Sequence, residues 1–172
     1  ELEFCKQYFN EGMKFELVPN YIDLSKNKIL DEKLIEKKRN ILYLGRLHPK
    51  KGIVNLIEAY GTLDENIVEL HSLLIVGNGE LEYEKHLKDL ANKCKFKDNI
   101  HFLGHKTGSE KEELYKNSKV FVLPSYTENF GNVVLEALSF STPVISSKYT
   151  PWQELEEREC GFWIENTPFE LK

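Results

Sequence analysis

No Asp-x-Asp pair occurs in the 172 residues, so nothing in the sequence marks a carboxylate-held divalent ion for a nucleotide diphosphate. A Walker A loop and a Gly-x-Ser-x-Gly elbow are absent too, which removes the P-loop and α/β-hydrolase readings. Cysteine is scarce: Cys5, Cys94 and Cys160 are odd in number, far apart, and form no Cys-x-x-Cys pair. They read as reduced cytosolic thiols, not as a disulfide framework or a metal site. No apolar run approaches the ~20 residues of a membrane span. No signal peptide leads the chain, which opens on Glu-Leu-Glu instead of Met. The expectation is an excised piece of a longer cytoplasmic protein. Arginine is rare, with only Arg39, Arg46 and Arg158 among 23 basic residues. An arginine in so lysine-rich a chain reads either as a need for its planar fork of donors or as chance. A net charge of −5 argues against general affinity for nucleic acid or an anionic membrane, while leaving room for a local basic pocket.

What is present suits one soluble globular domain: 41% hydrophobic and 30% charged residues, in a length too short for two well-packed cores. The first 16 or so residues are polar and mixed, with Phe4, Tyr8 and Phe9 expected at a domain edge. Residues 15–18 read as a short strand, 19–23 as a turn, and 24–39 as a charge-rich surface helix. Short apolar runs then alternate with amphipathic ones. Strands are expected at 41–44, 72–76, 99–103, 120–123, 143–146 and 161–164. Helices are expected at 53–60, 80–93, 109–117 and after Gly131. Ser109 and Glu112 have capping-box spacing, and 167–172 looks like a helix start. Strands that are apolar throughout, alternating with helices, predict an α/β fold: a Rossmann-like parallel sheet with helices on both faces. Ligands of such sheets bind beyond the carboxyl ends of the strands, so the loops after Leu44, Val76, Leu103, Leu123 and Ser146 matter most.

Two of those loops carry chemistry. Pro124 ends a buried strand, and the run through Glu128, Asn129, Phe130, Gly131, Asn132 and Val133 feeds a helix that places Glu136 about two turns in. A helix entry offers backbone N–H groups and positive dipole to an anion, whereas the flanking carboxylates suit sugar or ribose hydroxyls. Gly45-Arg46-Leu47-His48-Pro49-Lys50-Lys51-Gly52 reads either as a cationic clamp on a diphosphate, with Arg46 bidentate and Lys51 a point charge, or as a solvated basic loop. Gly77-Asn78-Gly79 begins a dinucleotide fingerprint, but Glu82 stands where the third glycine belongs, leaving a tight turn of close approach. His101 and His105 have no partners at metal spacing, and His48 stands alone in its loop. Trp152, Phe162 and Trp163 suit packing, although Trp152 follows the fifth strand on the ligand side and could border the site.

With both stretches in view, the chain resembles the retaining glycosyltransferases of the GT-B fold, family 4 (glycosyl transferases group 1), over roughly residues 15 to 165. Gly45-Arg46-Leu47-(x)3-Lys51-Gly52 is similar to that family's phosphate-binding strand end, and Glu128-x-Phe130-Gly131-(x)4-Glu136-Ala137 to its Glu-(x)7-Glu motif. Pro19-Asn20-Tyr21-Ile22-Asp23 resembles the family's entry to its second domain, with Tyr21 where glycine is usual, and Asn129 departs from the frequent Glu-Gly-Phe-Gly form. The resemblance implies that residues 1–172 are the nucleotide-sugar-binding domain of such an enzyme, with the acceptor-binding N-terminal domain elsewhere. Arg46 and Lys51 would hold the donor diphosphate and stabilise it as a leaving group. Glu136 would accept from the ribose hydroxyls, and Glu128 would bind a hydroxyl of the donor sugar. Backbone groups of Gly45 and of Phe130 to Val133 would meet sugar and phosphates, and the base would lie near Gly104 and His105. No metal or other cofactor is expected. The implied partners are a nucleotide-sugar donor, the N-terminal domain, and an acceptor glycan or lipid-linked sugar. No nucleic acid is implied, and any membrane contact would fall to the N-terminal domain. The domain alone would bind nucleotide without transferring sugar.

The same fold serves nucleotide-sugar epimerases and glycogen-type phosphorylases, and no motif here marks the phosphorylases' pyridoxal-phosphate lysine. A non-catalytic nucleotide-sugar-binding module is a further alternative, and the broken fingerprint stands against an NAD-binding domain.

Overall fold

The computed structural model describes residues 39–172; the expectations for residues 1–38 lie outside the described residues. Six strands form one sheet: β1 (Asn40–Leu44), β2 (Leu73–Val76), β3 (Ile100–Gly104), β4 (Ser118–Leu123), β5 (Val144–Ser147) and β6 (Gly161–Ile164). Every pairing is parallel and the order is β3-β2-β1-β4-β5-β6. The helices are α1 (Ile53–Gly61), α2 (Glu65–Leu70), α3 (Leu81–Lys93), α4 (Gly108–Lys116), α5 (Asn132–Ser139) and α6 (Glu154–Glu157). The α/β reading is therefore met, strand for strand, within the described residues.

Burial follows position in the sheet. All four residues of β2 are buried, as are the last three of β1 and of β4, because central parallel strands are covered on both faces. On the edge strand β3, Ile100 is buried while His101 and Leu103 are exposed, so the expectation of apolar burial throughout fails there for want of a neighbour. Period-two alternation divides the core. Tyr43, Leu73, Ile75 and Val122 face one layer with α1 and α3, whose Ile53, Leu56, Ile57, Tyr60 and Leu87 pack on them. Leu42, Leu44, Leu74, Val76, Phe121 and Leu123 face the other, against Tyr115 of α4, Val134 and Ala137 of α5 and Leu155 of α6.

Two local expectations change. α4 begins at Gly108, so Ser109 lies inside its first turn, and the cap residue Thr107 makes no side-chain cap bond; the capping box does not form. α2 went unread because only Val68 of its six residues is buried, too little to show a period. At the end of the chain one helical turn does form, with Leu171 N–H donating to Thr167 O at 3.0 Å and the Leu171 side chain buried in the first core layer.

Three core phenols set an alkaline limit. Burial pushes Tyr60 up from 10.0 to about 12 and raises Tyr43 and Tyr115 further. The fold favours the neutral phenols, so their contribution is complete below the unfolded value near 10 and is lost as pH rises through the folded values. The urea midpoint is expected to fall from pH 10 upward, with the tyrosinate absorbance of Tyr43, Tyr60 and Tyr115, read as the part lost in their phenylalanine variants, appearing only with unfolding. Ionisation of these three ahead of unfolding would contradict this.

Candidate functional site

The chain leaves β1 toward β2 on one side of the sheet and returns from β3 to β4 on the other, so a crevice opens beyond the carboxyl ends of β1 and β4. A cavity of about 400 Å³ lies there, lined by Tyr43, Gly45, Arg46 and Lys51 on one side and by Glu128 to Val133 on the other. A second cavity of about 250 Å³ opens over β2 and β3, lined by Gly77, Asn78, His105 and Lys106. Both share Leu44, Gly45 and Arg46, so Arg46 stands between them. Its side chain is exposed and makes no salt bridge among the described residues.

Backbone hydrogen bonds fix the loop after β1. The Tyr43 phenol donates to Arg46 O at 2.9 Å, and Leu47 N–H donates to Asn78 O at 2.9 Å. His48 is a cap for the single 3₁₀ turn Pro49–Lys51: its Nδ1 accepts from Lys50 N–H at 3.1 Å. Gly77 has φ +136°, and a Cβ built there would sit 1.8 Å from Gly45 O. This is the close approach foreseen for Gly77-Asn78-Gly79, made between two site-bearing loops. Gly77→Ala is expected to cost at least about 2 kcal/mol, through steric overlap and positive φ together. A thermal midpoint within a degree of the native one would refute that.

The loop from β4 to α5 is held from beneath at successive carbonyls. Asn166 Nδ2 donates to Pro124 O at 2.5 Å, the Ser147 hydroxyl to Ser125 O, and Trp152 Nε1 to Phe130 O at 2.5 Å. Lys50 O takes Tyr126 N–H at 2.8 Å, which ties this loop to the one after β1. Trp152 is buried with its ring 5.1 Å from that of Phe130, so it supports the loop instead of bordering the cavity. Gly131, at φ +81°, turns the chain into α5, whose first turn brings the positive end of the helix dipole to the cavity wall.

Lys51 Nζ and Glu128 Oε2 lie 2.5 Å apart with side chains only 20% and 16% exposed, and Ser125 Oγ adds a contact to the same oxygen at 3.4 Å. The two residues assigned separately to diphosphate and sugar thus form one ion pair. Glu136 lies one turn, not two, into α5 and does not line either cavity. It is held by Lys111 at 2.7 Å and Tyr115 at 2.8 Å. Gly104 adjoins the second cavity through His105, and Gly77 N–H donates to its carbonyl at 2.8 Å. Arg46, Lys51, Glu128, Asn129, Phe130, Gly131, Asn132 and Val133 are therefore gathered in one place. Tyr43, Ser147 and Asn166 were missed. Tyr43 reads as core, and the other two come from distant segments with no motif of their own. Among the described residues no group of three His, Cys, Asp or Glu side chains could hold a metal ion, and no helix is long and apolar enough to cross a membrane.

Residues 25–170 match the family model of the glycosyl transferases group 1. The chain belongs to that family. This group 1 chain is 36% identical over 132 residues to the uncharacterised glycosyltransferase MJ1607 of Methanocaldococcus jannaschii, a match covering 75% of the chain and 32% of that protein. It is 34% identical over 176 residues to the UDP-Gal:α-D-GlcNAc-diphosphoundecaprenol α-1,3-galactosyltransferase of Escherichia coli, covering 95% of the chain and 44% of the relative. The chain thus spans about a third to under half of these curated relatives. Its fold matches that of Anabaena HepE, solved in complex with UDP and glucose, with TM-score 0.76 at 21% identity over 91% of this chain and 45% of that one. The Rossmann-like parallel sheet is the architecture that the two structures share.

Proposed function

We propose that this group 1 chain is the donor-binding domain of a retaining glycosyltransferase, the C-terminal half of a GT-B enzyme that takes its sugar from a nucleoside diphosphate. One observation carries the reading: Arg46 stands between two adjoining cavities, with the N-terminus of α5 and the Lys51–Glu128 pair on the wall of the larger. A base in the smaller cavity near His105, a diphosphate at Arg46 and a sugar beside Glu128 would lie in the order in which those groups are joined. HepE's complex with UDP and glucose supports a ligand of that kind.

In the proposed reaction the bond from the anomeric carbon to the diphosphate oxygen breaks as the acceptor hydroxyl approaches the same face. A phosphate oxygen takes the acceptor's proton, and configuration is kept. The chain's part is electrostatic. Arg46 offers a bidentate fork, Lys51 a point charge and α5 a dipole end to the charge developing on the leaving diphosphate, with no metal required. Acceptor recognition falls to an N-terminal domain in the longer, cytoplasmic protein. The product belongs to surface polysaccharide or glycan synthesis; the Escherichia coli relative, named for transfer to a diphosphoundecaprenol-linked GlcNAc, supports a lipid-linked glycan acceptor.

Metal-free calorimetric titration with UDP, GDP, ADP and NAD tests the reading. One nucleoside diphosphate is expected to bind, more weakly after Arg46→Ala or Glu136→Gln, and NAD is expected not to bind. Unchanged binding in both variants would mean the site is elsewhere. Transfer of sugar by the 172-residue chain alone would overturn the division of labour between domains.

A further inference from the structure

Glu136 is gripped by two donors from a single helix face. Lys111 Nζ lies 2.7 Å from Oε1 and the Tyr115 hydroxyl 2.8 Å from Oε2, and the two donors stand four residues apart on α4. Tyr115 is fully buried, its ring edge-on to Phe121 of β4 at 5.8 Å and stacked on Phe140 at 5.8 Å. Thr142 Oγ1 donates to its backbone carbonyl at 2.7 Å. The phenol is therefore fixed in place, and packing alone would be served equally by phenylalanine. Glu136 follows Asn132 and Val133, which line the larger cavity, by four and three residues on α5, so it shares their side of the helix.

We propose that Lys111 and Tyr115 are positioning residues that aim the Glu136 carboxylate at a ribose diol and so make this chain select ribonucleotides over deoxyribonucleotides. The proposal rests on the donor-site reading above. An ionised carboxylate offers about four acceptor positions, two on each oxygen. Lys111 and Tyr115 take one on each oxygen, and one on each remains for the two O–H donors of a cis-diol. Lys111 also sets a positive charge 2.7 Å from the carboxylate. The Tyr115 hydroxyl donates to Glu136 and so leaves the carboxylate its accepting role toward the sugar.

The test compares UDP, GDP and ADP with their 2′-deoxy counterparts by calorimetry on the native chain, Tyr115→Phe, Lys111→Met and Lys111→Arg, with thermal midpoints checking the fold. The native chain is expected to prefer the ribose form of its nucleotide roughly ten- to hundredfold, as befits a lost bond to a charged acceptor. Tyr115→Phe and Lys111→Met are expected to shrink that preference to within about threefold while binding the 2′-deoxy form as the native chain does. Lys111→Arg is expected to keep it. Equal weakening of both forms, or no change in either, would show a merely structural clamp and overturn the proposal. Lys111→Met decides the matter if Tyr115→Phe does not fold. A native chain that binds both forms equally also overturns it, while a native chain that binds no nucleoside diphosphate sinks the donor-site reading itself.

Discussion

Glu128→Gln is expected to separate nucleotide binding from sugar binding. Lys51 and Glu128 hold each other at 2.5 Å in a partly buried position, so in the proposed site a donor diphosphate would compete with Glu128 for the lysine. Removing the carboxylate charge frees that cation, and the nucleoside diphosphate is expected to bind as tightly as before or up to about tenfold tighter. The sugar nucleotide, which would lose a charged acceptor for its hydroxyl, is expected to forfeit its advantage over the bare diphosphate. Transfer by the full-length protein should then fall roughly ten- to hundredfold. The stability cost should stay near 1 kcal/mol, because Lys51 keeps solvent access and the glutamine amide still reaches it. Titrations of the variant with UDP, GDP, ADP and their glucose conjugates read both effects. A parallel loss for the diphosphate and the sugar nucleotide would mean that Glu128 serves only to hold Lys51.

Arg46→Ala should be the most damaging single change to nucleotide affinity that leaves the fold intact. The side chain is exposed, and what holds its loop is backbone: Tyr43 on the Arg46 carbonyl and Asn78 on Leu47. Its loss is therefore expected to shift stability by less than about 0.5 kcal/mol. A bidentate, charge-assisted contact to a diphosphate is a different matter, and affinity is expected to drop roughly ten- to hundredfold, with a weaker salt dependence. Arg46→Lys should recover only part, because an ammonium cannot present the planar fork. Native affinity in Arg46→Ala would move the diphosphate away from the β1 end altogether.

Local chemistry made much of this legible in the sequence. The continuous apolar runs at 41–44, 73–76 and 120–123 read as strands covered on both faces, and all three lie inside the sheet. Gly45-Arg46 and the stretch from Glu128 to Val133 stand where strands meet helices, and in a parallel sheet those junctions collect at one edge whatever the strand order. Fold class, the sheet edge that carries the two cavities and the residue types there were thus determined by the sequence itself. Strand order was not, nor was the fact that β1 and β4 are neighbours and so bring Lys51 and Glu128, 77 residues apart, into one ion pair. The Lys111–Tyr115 grip on Glu136, and the support of the β4–α5 loop by Ser147, Trp152 and Asn166, likewise join segments with no periodic or spacing relation. Such contacts are chosen by how the layers pack, because a polar side chain buried by packing must find its partner wherever the fold has placed one.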